Sequence, residues 1–228
     1  MTEPVWPEQL PLAVARRPHP TLEGFIVGDN AEAVHALRHH SGLLYLSGPT
    51  GSGKSHLLRA RARAGNGARY LTGEDIAESA SGLLAGADAA PWLGVDDIAE
   101  LAHARDAAIT LARVVDRRSA AALPTVVTAR LDVASLPDVL RDLQTRLSQG
   151  TAFRLRPPDE ETLARWLDQR ASERGLALAE AASAWLLRHL PRDPGHLDEA
   201  LQRLDVAALA AKRHRITAPF ARSVLGDR

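Results

Sequence analysis

LYLSGPTGSGKSHLL, residues 44–58, governs how the rest of the chain is read. An apolar run, Leu44 to Leu46, passes into a glycine-rich turn, and Lys54 and Ser55 then open a stretch with helical spacing. Gly48, Gly53, Lys54 and Ser55 satisfy G-x-x-x-x-G-K-[ST] in full, between a strand and a helix as that motif requires. Gly48, Pro49, Thr50, Gly51, Ser52 and Gly53 form a turn whose backbone N–H groups can wrap a phosphate. The Lys54 ammonium would neutralise the outer phosphates, and the Ser55 hydroxyl would ligate magnesium.

Outward from this turn, strands and helices alternate. LLYLS, ARYLT, PWLGVDD, LPTVVTA and TAFRLRP read as five strands, with helical spacing between them, clearest in LAHARDAAITLARVVDRR. That alternation predicts a parallel sheet with crossover helices, an α/β fold of the P-loop type. Asn30 is placed to cap a helix through AEAVHALRHH, and Gly94 is a weak residue for a strand interior. After Pro157 and Pro158 the pattern becomes helical throughout, with no strand expected, starting at an acidic first turn, Asp159 with Glu161 and Thr162. The expected organisation is a proline-rich tail over 1–20, an α/β nucleotide domain over 21–156 and a small helical subdomain over 157–228. The third strand ends in Asp96 and Asp97. A phosphate loop needs such an acid on a neighbouring strand: Asp96 for the magnesium shell and Asp97 to orient or activate water, the plainer reading being that Asp97 caps the next helix.

Composition narrows the function classes. The 28 Lys and Arg balance 28 Asp and Glu, whereas a domain gripping DNA through phosphate contacts carries a basic excess; strong direct DNA binding is not expected. The basic KRHR run at 212–215 follows an alanine-rich helix, where cations suit the C-terminal dipole. Cysteine is absent, so thiolate metal sites and disulfides are excluded, and the nine histidines show no metal-ligand spacing with acids. No apolar stretch reaches the ~18–20 residues of a spanning helix, and no secretion signal is visible. A cytoplasmic protein with no membrane partner is the expectation.

With these pieces in order, the chain resembles the AAA+ ATPases, and within them the DnaA-related proteins. The resemblance rests on TLEGFIVGDNAEAV, GPTGSGKSHLL, the Asp96–Asp97 pair, DLQTRLSQGTAFRLRPPDEETL and the final helices, which are similar to the AAA+ lid; it spans nearly all of 21–228. It implies an adenine nucleotide, ADP or ATP, with Mg2+. The implied contacts are Ile26 and Val27 at the adenine, the loop from Gly48 through Gly53, and Lys54, Ser55 and His56. It also implies an arginine finger at Arg146, acting on a neighbour's nucleotide; without the family, Arg146 reads as a surface residue paired with Asp142 one turn back.

DnaA initiators carry further domains for DNA and helicase, and the layout here is expected to be that of regulatory relatives that inactivate DnaA. Such relatives carry a short sliding-clamp-binding peptide near the N-terminus. EQLPLAV is similar to it, with Gln9 for a polar subsite and Leu10 and Leu12 for an apolar groove. The expected partners are therefore the DNA polymerase sliding clamp and DnaA, with homo-oligomerisation left open. Two positions depart from the family: Arg130 stands where the first sensor is an acid, and Gly195 where the second is an arginine. Gly195 points away from vigorous turnover by this chain. A free-standing ATPase such as a DnaC-type helicase loader, and a clamp-bound adaptor with Arg146 idle, are the rival readings.

Overall fold

The computed structural model describes residues 20–226; Gln9, Leu10 and Leu12 lie outside them. Helix α1 (Ala31–His39) leads into β1 (Leu43–Ser47), the phosphate loop and α2 (Lys54–Ala64). Then follow β2 (Arg69–Thr72), α3 (Gly73–Leu83), β3 (Leu93–Asp96), α4 (Arg105–Ala120), β4 (Thr125–Ala129), α5 (Arg141–Leu147) and β5 (Thr151–Arg154). The five strands form one wholly parallel sheet in the order β2-β3-β4-β1-β5. β1 is thus internal, and all five of its residues are buried, as a strand covered by helices on both faces must be.

Strand alternation sorts the core into two layers. Tyr45 packs with Val95, Ile98, Leu111, Val127 and Leu143 on one face, while Leu44 and Leu46 join Leu57, Leu58, Trp92 and Val126 on the other. Gly94 belongs in its strand for a steric reason: a Cβ there would stand 2.4 Å from the Trp92 ring. Arg118, on the last turn of α4, is fully buried. Its guanidinium donates to the carbonyls of Ala87, Ala90 and Pro124 at 2.7–2.8 Å, and to the Thr125 hydroxyl at 2.8 Å.

The remaining helices are α6 (Glu160–Glu173), α7 (Glu180–His189), α8 (Pro194–Ala210) and α9 (Ala218–Leu225). They share their own core of Leu163, Leu167, Trp185, Leu186, Leu201 and Leu204. Asp159 caps α6, its carboxylate accepting from the Thr162 N–H at 2.7 Å, and those bonds hold its carboxyl below the usual range.

Two expectations are corrected. The helical region does contain strand: Ala177–Leu178 (β6) pairs in parallel with Arg215–Ile216 (β7), two-residue segments too short to show an alternation. Asn30 precedes α1 but its side chain caps nothing. Its amide instead donates to the Arg156 carbonyl at 2.9 Å and accepts from the Arg156 N–H at 2.8 Å, pinning the segment before α1 to the chain leaving β5.

Candidate functional site

The carboxyl ends of the strands in an open parallel sheet bound a ligand crevice. Here a cleft of about 840 Å³ lies there, lined by Thr50 to His56, by Asp96 and Asp97, by Arg130, and by lid residues from Trp166 to Gln202. Gly51 and Gly53 have φ of +80° and +90°, backbone that glycine adopts without strain. There is no space for a side chain either: a Cβ on Gly53 would meet the Phe25 ring at 2.4 Å, and one on Gly48 the Leu155 carbonyl at 2.5 Å.

Lys54 is buried. Its ammonium donates to the carbonyls of Gly48 and Pro49 at 2.7 and 2.9 Å, so the loop's own oxygens hold it where phosphate oxygens would attract it. Burial lowers its pKa, opposed by the carboxylates of Asp97 and Asp96.

Asp96 is fixed by two hydroxyls that the sequence does not single out. Thr128 on β4 donates to its Oδ1 at 2.7 Å, and Tyr70 on β2 to its Oδ2 at 2.7 Å. Burial and the neighbouring carboxylate push the Tyr70 hydroxyl up to about 12, so it stays a donor at neutral pH. These two become visible only when β2 and β4 are known to flank β3.

Asp97 has a left-handed backbone, φ +48° and ψ +69°, and its N–H donates to the Thr128 hydroxyl at 3.0 Å. Its side chain makes no capping bond to the following 3-10 turn, which removes the plain capping reading. It pairs instead with Arg130, Nε to Oδ2 at 3.4 Å.

The other sequence candidates divide. Ile26 lines the cleft and packs on the lid core. Val27 is partly exposed and lines a neighbouring recess with Thr162, Trp166 and Gln169 rather than the main cleft. His56 lines the cleft, its Nε2 2.8 Å from the Thr21 carbonyl oxygen; burial lowers its pKa, so the ring is neutral. From the lid, Asp193 caps α8, accepting from the His196 N–H at 3.1 Å. A Cβ on Gly51 would stand 3.1 Å from the Asp193 Cβ. Asp193, two residues before Gly195, therefore lies against the loop.

Arg146 stands on α5, outside the residues lining the cleft. The expected pairing with the Asp142 carboxylate is corrected: Arg146 donates to the Asp142 backbone carbonyl at 2.6 Å, and its ion pair is with Asp116 of α4 at 2.7 Å.

Ser55 and Asp96 both line the cleft. Among the described residues no group of three or more His, Cys, Asp or Glu gathers to hold a metal. One hydroxyl and one carboxylate suit magnesium that completes its shell with water and phosphate oxygens, so the donor set fits an ion that arrives with a nucleotide. Among the described residues no helix is long and apolar enough to cross a membrane.

Comparison with known proteins gives the same picture. Residues 159–225 match the family model of the Hda lid domain. The chain is 28% identical over 233 residues to an uncharacterised protein of Haemophilus influenzae, an alignment covering 96% of this chain and 98% of that one. Domain III of the replication initiator DnaA from Thermotoga maritima superposes with a TM-score of 0.76 at 19% identity, covering 92% of this chain and 98% of the domain. AMPPCP-bound DnaA from Aquifex aeolicus superposes with a TM-score of 0.70 at 18% identity, over 85% of this chain and 67% of that one. At such identities the likeness is one of fold, and the fold is that of AAA+ proteins. The chain thus has the fold of AAA+ proteins such as domain III of DnaA, and its C-terminal helices, 159–225, match the Hda lid.

Proposed function

We propose that the chain is a negative regulator of replication initiation that holds an adenine nucleotide and provokes ATP hydrolysis on DnaA. The observation that carries this is the Hda lid match on a DnaA-type core. In the chain's own cleft, the loop from Gly48 to Gly53 cradles the phosphates, Lys54 exchanges its carbonyl partners for phosphate oxygens, and Ile26 borders the adenine, while Val27, in the neighbouring recess, has no part in it. Ser55 and Asp96 hold magnesium, which when bound neutralises and orients the phosphates. Asp97 is the residue that would orient water.

The trans activity belongs to Arg146, which stands outside the cleft that its own chain would fill. A guanidinium delivered to a partner's terminal phosphate stabilises charge in the transition state and raises the rate by roughly 10³–10⁵-fold. To reach a partner, Arg146 must leave Asp116, a half-exposed partner from which release costs little. Gln9, Leu10 and Leu12 dock the chain on the DNA-loaded sliding clamp, placing Arg146 near DnaA at the replication fork.

The test measures hydrolysis of DnaA-bound ATP with this protein, with and without DNA-loaded clamp. Clamp-dependent stimulation is expected to fall at least about 10³-fold in Arg146→Ala, the lower end of the range that such fingers supply. Clamp binding without stimulation would leave an adaptor and retire the finger.

A further inference from the structure

We propose that Arg130 restrains this chain's own nucleotide turnover by occupying the water-facing oxygen of Asp97. The inference rests on the reading that the cleft holds an adenine nucleotide.

The geometry of Asp97 leaves it one usable oxygen. Oδ1 is buried and has no hydrogen-bond partner, and Oδ2 is the oxygen that meets Arg130. Nor is the backbone that carries it free to turn away. Its left-handed backbone is held by the N–H bond to Thr128, and from the other side by Gly73, where a Cβ would come within 2.2 Å of the Asp97 carbonyl oxygen. A non-glycine residue kept in this conformation by its surroundings is a feature of functional sites.

Arg130 belongs to the same cleft as Lys54, Ser55 and Asp96. At 60% exposure its side chain is solvated on the side away from Asp97, and in open solvent such a pair is weak. A nucleotide filling the cleft displaces that water, and charges interact more strongly as water leaves.

For hydrolysis, a water oxygen bonds to the γ-phosphorus as the bond from that phosphorus to the β–γ bridging oxygen breaks. The water's proton passes toward a carboxylate oxygen, leaving ADP and inorganic phosphate. An Asp97 whose outward oxygen is taken by a guanidinium is aimed at Arg130 rather than at water. Arg130 acts through Asp97 and is a positioning residue.

The experiment compares steady-state ATP turnover by the full chain alone for wild type, Arg130→Ala, Arg130→Lys and the Arg130→Ala/Asp97→Asn double variant. Binding of a fluorescent ATP analogue and a fluorescent ADP analogue is measured for each. Arg130→Ala is expected to raise turnover about tenfold or more, within the range of general-base effects. Arg130→Lys should restore the restraint in part by keeping the charge, and the double variant should fall back to the wild-type rate or below. A gain that needs Asp97 is not what loss of folding produces. Unchanged or lower turnover in Arg130→Ala, with the ATP analogue still bound, overturns the inference. Selective loss of ATP-analogue binding also overturns it, because Arg130 would then be a phosphate ligand. If neither analogue binds even the wild-type chain, the nucleotide reading itself fails and the inference with it.

Discussion

Among the described residues Arg118 is the largest fully buried side chain, and its guanidinium donates to four carbonyls, that of Asp88 the most distant at 3.5 Å, and to a hydroxyl. It ties the segment after α3 to the chain entering β4, so the sheet edge opposite the cleft is organised by one guanidinium. Each buried carbonyl left without a donor costs about 1–3 kcal/mol. Pro124 keeps the Leu93 N–H, so Arg118→Ala orphans the Ala87 and Ala90 carbonyls and is expected to destabilise the chain by at least about 2 kcal/mol, read as a lowered urea midpoint. Arg118→Lys should recover only part of this, since one ammonium cannot span the fork of acceptors. Nothing in RVVDRRSA marks the second arginine of the pair as buried and the first, paired with Asp88 at the surface, as exposed. Other residues were legible. Lys54 and Ser55 announce themselves because a phosphate loop needs those types at that spacing. Tyr70, Thr128 and Asp116 were not legible, because their partners come from strands or helices far away in sequence.

At the scale of elements, capping explains where α6 and α8 begin and sets a second prediction. Asp193 accepts from the His196 N–H, and Pro194 occupies the first turn of α8, a residue suited to that place by its fixed φ and missing N–H. Replacing Asp193 by Ala removes the cap and should cost about 1 kcal/mol, while Asp193→Asn should retain most of it. Both are measured by chemical denaturation of the full chain. The five strands of the sheet and the four long lid helices could be read from apolar spacing, because each is long enough to show its period. β6 and β7 could not, since two residues carry no period. Asn30 misled for a different reason: an Asn before a helix suits a cap, but the unpaired backbone of Arg156 after β5 offered its amide a bond at both ends. Gly94 reads as a flaw in β3 until Trp92 is seen lying over it.

For the whole molecule, the cleft is bounded by two separate cores, and ligand binding couples them. The sheet supplies the loop, Asp96 and Asp97, the lid supplies Trp166, Arg170 and Asp193, and Ile26 packs on the lid while lining the cleft. The order β2-β3-β4-β1-β5 that makes this crevice is not written in any one segment, and the alternation of strands and helices predicts a parallel sheet without its order. A ligand that touches both cores stabilises only the assembled state. At a free concentration one hundred times its dissociation constant, magnesium-ADP is expected to add about 2.7 kcal/mol of stability. For a chain of this size that corresponds to a rise of roughly 5–11 °C in the thermal midpoint. Lys54→Ala should abolish the rise, because the loop loses the charge that draws phosphate in. Trp166→Ala should reduce it while leaving the sheet's phosphate contacts in place, since the lid wall of the cleft is then missing. A full ligand-induced rise in Trp166→Ala, recorded by scanning calorimetry, would mean that the nucleotide is held by the sheet alone and that the lid answers to something other than the ligand.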